Sequence, residues 1–138
     1  MKPAWMVLAA AYAFAQAPPA VTVKQLMLDM IHPAANDILL FVNRGGAKTE
    51  GDWAPVRRAA LTLAESGNLL TMTGRARDQD QWAKDAKALA DAGAAAYQAA
   101  QAKNLNALEQ LTGTIDASCT TCHKHYRPNV FPRDGGSK

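Results

Sequence analysis

Residues 52–74 read DWAPVRRAALTLAESGNLLTMTG, and this stretch decides the fold. Its apolar and small residues recur in steps of three and four, which is the spacing of one face of an α-helix. The residues of this face are Trp53, Val56, Ala60, Leu63, Gly67 and Leu70. The pattern predicts a helix that begins near Asp52, ends at Gly74 and packs against neighbouring helices.

The segment before it carries the signals of another helix. Thr22-Val23-Lys24-Gln25 has the form of a capping box, so this helix is expected to begin at Thr22. The pair Gly45-Gly46 ends it. Pro33 lies inside the apolar pattern. We expect a kink or a break near His32, because proline lacks the N–H group that a helix interior requires.

Two further helices are predicted in the second half of the chain, over about 81–102 and 104–128. The alanine content is high and β-branched residues are few, which favours helix. Short connections make neighbouring helices antiparallel. We therefore predict an all-α protein, an antiparallel up-down-up-down four-helix bundle. Its single domain would cover residues 16–128, followed by a loosely held tail over 129–138.

A chemical motif lies on the last predicted helix. Cys119-Thr120-Thr121-Cys122-His123 is the Cys-x-x-Cys-His pattern at which c-type haem is attached. Positions i, i+3 and i+4 share one helix face, so both thiols reach one porphyrin and the imidazole reaches its iron. Cys119 and Cys122 are the only cysteines in the chain. We predict one covalent haem c, held by Cys119 and Cys122, with His123 as an iron ligand.

Other interpretations of the cysteines are a redox dithiol, a disulfide and half of a zinc site. A thioredoxin-like dithiol needs a βαβ context, which the sequence lacks. The side chains available to zinc are Cys119, Cys122, His123 and His125. They crowd about one and a half helical turns, a poor geometry for a tetrahedron. His125 points off the haem face, and it is expected to be a solvated surface side chain, as is His32.

The N-terminus has the features of a secretory signal peptide. Lys2 supplies the positive charge, residues 5–14 an apolar run, and Ala13-Phe14-Ala15 a small-x-small cleavage site. We predict that residues 1–15 are removed on export, which in a bacterium places the protein in the periplasm. A buried or anchoring N-terminal helix is the alternative. No stretch approaches the roughly 20 apolar residues of a membrane span.

The composition argues against several other classes of function. The chain has 15 Lys and Arg residues against 12 Asp and Glu, close to balance. The basic residues are scattered without interleaved aromatic side chains, so we expect no nucleic-acid partner. There is no phosphate-binding glycine-rich loop, nucleophile elbow or His-Glu-x-x-His motif, and we do not expect an enzyme.

Residues 119–127, CTTCHKHYR, resemble the Cys-x-x-Cys-His-x-x-Tyr-Arg signature of the cytochrome c-prime superfamily. The resemblance covers these nine residues in motif, and the predicted domain in helix count and haem position. It implies that the first helix covers the distal face of the haem. In low-spin members a Met of that helix binds the iron, whereas in high-spin members an apolar residue blocks the sixth position. It also implies a homodimer built from the first two helices.

The sixth ligand implied by this resemblance has two main candidates. Met27 and Met30 lie one helical turn apart, and we prefer Met27 because Gln25-Leu26-Met27 is similar to the ligand-bearing stretch of low-spin members. Either methionine could instead be core filling. Met72 is a weaker candidate. Pro33 is a departure from the usual first helix of the family.

Two residues after the motif are also assigned to the haem site. Tyr126 is expected to pack near the haem edge, although plain core packing would explain it equally well. Arg127 is expected to modulate the environment of His123 or meet a haem propionate; a cation stabilising the helix C-terminus is the alternative. Four more arginines could reach haem propionates but are expected on the solvated surface: Arg57, Arg58, Arg75 and Arg77.

These observations favour a periplasmic electron carrier with His123 and Met27 as axial ligands and other redox proteins as partners. The alternative is a five-coordinate haem protein that binds nitric oxide or another small gas. A non-haem metal-binding bundle is a remote third hypothesis. The sixth ligand distinguishes the first two hypotheses.

Overall fold

A computed structural model describes residues 18–130, and these residues are predominantly helical. The elements are α1 (Val23–Leu26), a π-helical segment (Met27–Ile31), α2 (His32–Asn43), a 3-10 turn (Glu50–Asp52), α3 (Trp53–Leu70), α4 (Gln81–Gln101) and α5 (Leu105–Tyr126). α1, the π segment and α2 follow one another without interruption and are together called the first helix. Within the described range there are thus four helices and no strand, which confirms an all-α fold. The predicted signal peptide and tail residues 131–138 lie outside it.

The first helix begins as predicted, and Pro33 does not break it. The Thr22 hydroxyl accepts from the Gln25 N–H at 3.2 Å, and the Gln25 side chain accepts from the Thr22 N–H at 2.9 Å. The helix is not broken at His32. Its hydrogen bonding changes to the π pattern from Met27 to Ile31, just before the proline. A wider turn relieves the clash between a proline ring and the preceding turn, so the irregularity lies N-terminal to Pro33.

The predicted apolar faces form the core. All six residues of the α3 face are buried, as are Trp82, Ala86, Leu89 and Ala100 of α4 and Leu108 and Ile115 of α5. α3 packs against α2 and α4, and α5 packs against α2 and α4. None of the helices in the described range is long and apolar enough to cross a membrane.

α3 and α4 approach closely because each carries a glycine at their contact. A Cβ atom added to Gly67 would lie 2.5 Å from the carbonyl oxygen of Ala86. One added to Gly93 would lie 2.3 Å from the backbone nitrogen of Ala64. Both distances are shorter than van der Waals contact with backbone atoms, so the two helices can adopt this separation only with glycine at these positions.

Gly93→Ala is therefore expected to destabilise the protein by about 2 kcal/mol, because the new methyl group overpacks a contact made of backbone atoms. The matched control is Gly113→Ala, in the middle of α5, where an added Cβ meets no atom within 4 Å. That change should stabilise the protein by about 0.5–1 kcal/mol, since glycine weakens a helix interior. Urea unfolding of both variants measures the effect. Equal stability of the two variants would contradict the close packing.

The connection between α3 and α4, residues 71–80, contacts both termini of the helical domain. Arg75 is buried, and its Nε and Nη2 each donate to the Val21 carbonyl at 3.1 Å. Its Nη1 donates to the Leu69 carbonyl at 3.1 Å. Asp78 accepts a hydrogen bond from the Tyr126 hydroxyl at the end of α5. The expectation that Arg75 is a solvated surface side chain is wrong.

The segment that follows the first helix also contacts the start of α5. Gly46, which has a positive φ of 78°, lies directly against the Leu105 side chain, and an added Cβ would come within 2.7 Å of it. Lys103 forms an ion pair with Glu50 in the same region. The segment after α2 is thus held against the start of α5.

Candidate functional site

The Cys-x-x-Cys-His motif lies on the last two turns of α5. This helix begins with an N-cap at Asn104, whose side chain accepts from the Ala107 N–H at 3.0 Å, and it continues to Tyr126. Cys119, Cys122 and His123 are all half-buried. Because the backbone is regular α-helix here, the two thiols and the imidazole occupy neighbouring positions on one face, as the motif requires.

Burial favours the protonated form of both thiols. Burial, followed by the charge of Asp85 and by Cys119, raises the pKa of Cys122 to about 11. Burial also raises the pKa of Cys119 above its ordinary value. Cysteines of reactive redox dithiols instead have lowered pKa values, because the thiolate is the nucleophile. The surroundings of this pair therefore do not favour a thioredoxin-like function.

The surroundings of His123 favour its neutral imidazole, which is the form that binds metal ions. Burial, and secondly the charge of Arg127, lowers its pKa below the ordinary value of 6.5. The imidazole is therefore neutral at neutral pH, and a neutral ring can donate a lone pair to iron. Arg127 ends α5, and its N–H donates to the His123 carbonyl at 2.7 Å. Its cationic side chain is exposed.

His125 was predicted on the solvated surface, but it lies in a partly buried position. It is half-buried, and its Nδ1 donates to Oδ2 of Asp85 at 2.7 Å. Asp85 is only 6% exposed, and its Oδ1 accepts from the side chain of Gln81 at 2.9 Å. The expectation of a solvated surface side chain is wrong because Asp85 of α4 supplies a buried partner for the imidazole. His32, in contrast, is exposed as predicted.

Tyr126 packs against α4. Its ring lies edge-on to Trp82, with 4.9 Å between ring centroids and an interplanar angle of 78°. Burial, then the hydrogen bond to Asp78, raises the pKa of the Tyr126 hydroxyl, which therefore remains a donor at neutral pH. His125 and Tyr126 thus attach the last turn of α5 to α4 and to the residues before it, and Tyr126 takes part in core packing.

Acid is expected to weaken the contact between Asp78 and Tyr126. Hydrogen bonds from Tyr126 and then from the Trp82 N–H lower the pKa of Asp78 below its ordinary value of 3.8. A carboxylate of this kind stabilises the fold above its unfolded-state pKa, and the contribution is lost as the pH falls through the folded-state pKa. Asp78→Asn should therefore be less stable than the parent at neutral pH, and the difference should shrink below pH 3.8.

Thermal unfolding of the parent and of Asp78→Asn over a pH series measures this difference. Asp80→Asn is the control, because Asp80 belongs to the same connection but its carboxylate pairs with the exposed Lys84, at 2.8 Å. A difference between parent and Asp78→Asn that stays constant far below pH 3.8 would contradict the prediction.

The candidate distal methionines lie in the π segment. Met27 and Met30 are half-buried and pack against the core, between the buried residues Leu26 and Ile31. A π turn contains more residues than an α turn, so the two side chains are separated by a larger angle than in an α-helix. Single π turns are frequent at functional sites. Met72 lies in the α3–α4 connection, where its sulfur accepts from Arg75 Nη1 at 3.3 Å.

The α3–α4 connection contacts the residue that precedes the first helix and the last turn of α5. Arg75 contacts Val21, six residues before Met27, and Asp78 contacts Tyr126, four residues after Cys122. With a rise of 1.5 Å per residue, both segments lie within about 10 Å, measured along their helices, of a contact with the α3–α4 connection.

α3 carries a buried hydroxyl without a partner. Ser66 is fully buried, and its Oγ has no hydrogen-bond partner among the described residues. The adjacent Gly67 packs on the carbonyl of Ala86, which follows Asp85 on α4. Buried polar atoms are nearly always hydrogen-bonded to protein or to ordered water, so this hydroxyl is an exception within the described residues.

The residues present fit the predicted haem. Two thiols and a neutral imidazole share one half-buried face of α5, and two half-buried methionines lie on the first helix. Within residues 18–130, no group of three or more His, Cys, Asp or Glu side chains is placed to hold a metal ion.

Sequence analysis missed four polar residues around this region. They are Ser66, Asp78 and Asp85, which it did not assign to the site, and Arg75, which it placed on the surface. Only Asp85 carried a local signal, a carboxylate beside the apolar face of α4 and one turn after Gln81.

No protein-family model matches the chain, and comparisons with curated proteins and with solved structures found no match. The functional inference therefore depends on the motif and on its surroundings in the fold.

Proposed function

We propose that this protein is a periplasmic c-type cytochrome that carries electrons through one haem c, and that it is a low-spin member of the cytochrome c-prime superfamily. The observation that carries the proposal is the placement of Cys119, Cys122 and His123 on one half-buried face at the end of α5. The thiols would hold the haem by thioether bonds, and the imidazole would bind its iron. When bound, haem supplies a one-electron couple between ferrous and ferric iron.

Met27 is the proposed second axial ligand. It is half-buried in a π segment that packs against α3, on the helix whose start contacts the α3–α4 connection. A thioether sulfur stabilises the ferrous state and raises the reduction potential relative to a second nitrogen ligand. Fixed ligation on both sides limits structural change on electron transfer. Met30 is the second candidate for this position.

Tyr126 and Arg127 are proposed to complete the site without binding iron. Tyr126 fixes the last turn of α5, and Arg127 places a positive charge beside His123. A haem propionate is the anion that Arg127 would meet. The chain itself would break no substrate bond, so the protein would not be an enzyme. Its partners would be redox proteins and, as a homodimer, a second copy of the chain.

The proposed topology is antiparallel and up-down-up-down. Three observations support it: the connections between helices are short, the start of the first helix and the end of α5 share the α3–α4 connection, and the segment after α2 contacts the start of α5. Such a bundle places ligands from two different helices in one interior, as haem between α5 and the first helix requires.

A gas-binding haem protein with a vacant sixth position is the second candidate. It is favoured by one observation: Met27 and Met30 both pack against the core, which explains their burial without iron. The methionines would then act as distal packing that selects ligands such as nitric oxide by size.

The test is to express the full chain in a bacterium that has a haem-attachment system and to isolate the periplasmic fraction. Optical spectra of the oxidised and reduced protein are then recorded. Periplasmic protein with a covalent, low-spin haem and a sulfur-to-iron charge-transfer band would support the electron carrier. A high-spin spectrum would support the gas-binding candidate instead. Protein without haem, despite active attachment machinery, would overturn both.

A further inference from the structure

We propose that Arg75 and Asp78 form a brace that positions both proposed iron ligands from one connection. Arg75 would be the positioning residue for the Met27 segment, and Asp78 the positioning residue for the end of α5 that carries His123. The term "brace" is used below for these two side chains. The inference rests on the proposed function for the identity of the ligands, but its contacts concern the chain alone.

Arg75 is a buried guanidinium that binds main-chain carbonyls. It is 7% exposed, and two of its nitrogens donate to Val21, while the third donates to Leu69 and to the Met72 sulfur. Within the described range no carboxylate pairs with it. A buried cation is costly unless its donors are satisfied, so these hydrogen bonds hold the guanidinium and Val21 in one arrangement.

The Arg75 contact determines where the first helix starts. Val21 immediately precedes the Thr22 capping box, from which the helix runs into the π segment. A helix is stiff over a few residues, so fixing its first turn also fixes the direction and height of Met27, six residues on. The backbone nitrogen of Leu26 donates to the Thr22 carbonyl at 3.0 Å, which continues the link.

Asp78 connects two other elements. Its Oδ1 accepts from the backbone N–H of Trp82 at 2.8 Å and of Asp80 at 3.1 Å, which stabilises the start of α4. Its Oδ2 accepts from the Tyr126 hydroxyl, three residues after His123. One carboxylate therefore holds the last turn of α5 against the first turn of α4.

The Arg75 and Asp78 contacts come from residues that lie close together in the chain. Arg75 and Asp78 are three residues apart, in a connection whose turn is closed by the hydrogen bond from the Arg75 N–H to the Met72 carbonyl at 2.9 Å. Gly74 supplies the positive φ of 88° that this turn needs. If the connection shifted, the Met27 segment and the last turn of α5 would shift with it. Loss of either Arg75 or Asp78 should release only the segment that this side chain contacts.

The test is amide hydrogen exchange on the purified, exported full chain and on the variants Arg75→Gln and Asp78→Asn. Arg75→Gln should speed exchange over residues 23–31 about tenfold and leave residues 119–126 nearly unchanged, since it removes hydrogen bonds to the start of the first helix alone. Asp78→Asn should speed exchange at the end of α5 and leave residues 23–31 nearly unchanged.

Matched controls come from the same connection. Arg77→Gln and Asp80→Asn make the same chemical changes at exposed side chains and should alter neither segment. If Arg75→Gln fails to fold, Arg75→Lys keeps the charge but cannot span two carbonyls, and it should speed exchange over residues 23–31 by a smaller factor. Unchanged exchange over residues 23–31 in a folded Arg75 variant would overturn the brace.

A spectroscopic readout separates positioning from general stability. In haem-loaded protein, Arg75→Gln should weaken the sulfur-to-iron band, whereas Gly93→Ala, which destabilises the fold elsewhere, should leave it intact in the folded fraction. An intact band in Arg75→Gln would overturn the positioning role. If the parent lacks the band but exchange responds as expected, the brace is supported and Met ligation in the proposed function fails.

Discussion

Replacing Cys119 and Cys122 together with alanine is expected to abolish covalent haem attachment completely. Each thioether bond needs one of these thiols, and the chain has no other cysteine to replace them. Each single variant should retain at most one bond to the porphyrin. The measurement is the mass of the exported protein under denaturing conditions, where only covalently attached haem adds to the mass of the chain.

The control lies inside the motif. Thr120 and Thr121 occupy the variable positions of the Cys-x-x-Cys-His pattern, and they are located between the two thiols. A double Thr120→Ala, Thr121→Ala variant should carry the full haem mass. Because both cysteines are only half-buried, the alanine variants should keep the helical content of α5. A parent protein of unmodified mass, produced beside an active attachment system, would contradict the assignment of the motif.

The four helices were predictable because their signals are local. The Thr22 capping box and the spacing of apolar residues in α3 each involve residues within a few positions of one another. The ends were less accurate. α3 ends at Leu70, and Gly74 instead supplies a turn farther along the connection. Helix ends depend on where the chain must turn toward its next contact, which local spacing does not encode.

The mistaken predictions share one physical cause. Arg75 was expected on the surface but binds Val21, 54 residues away in the chain. His125 was expected in solvent but binds Asp85, 40 residues away. In both cases a polar side chain is buried because a distant element supplies its partner. Sequence periodicity describes one helix at a time, so it cannot identify such pairs.

The candidate site also combines residues that are close together in the sequence with residues that are distant. Cys119, Cys122 and His123 are recognisable because covalent attachment fixes their spacing within one helix. The proposed distal ligand lies on another helix, within the π segment that precedes Pro33. A capping box predicts where that helix begins, but one widened turn changes the direction of every later side chain. Met27 and Met30 must therefore be distinguished by measurement.

Met27→Ala is expected to remove the sulfur-to-iron charge-transfer band entirely and to lower the reduction potential, on the order of 0.1 V or more, because the thioether that stabilises ferrous iron is lost. Met30→Ala should retain the band. The two variants make the same truncation three residues apart at half-buried positions, so each is the control for the other. Each should also cost about 1–2 kcal/mol of unfolding free energy, less than a fully buried methionine.

This pair of variants distinguishes the two functions. If Met27 binds iron, its removal opens the sixth position, and Met27→Ala should bind carbon monoxide in the reduced state while the parent does not. The reverse pattern, with the band lost in Met30→Ala alone, would assign the ligand to Met30 and keep the electron carrier. If the parent is already high-spin and binds gas, and neither variant changes its spectrum, both methionines are packing residues. The half-buried position of the π segment against the core would then serve to restrict the size of the ligand.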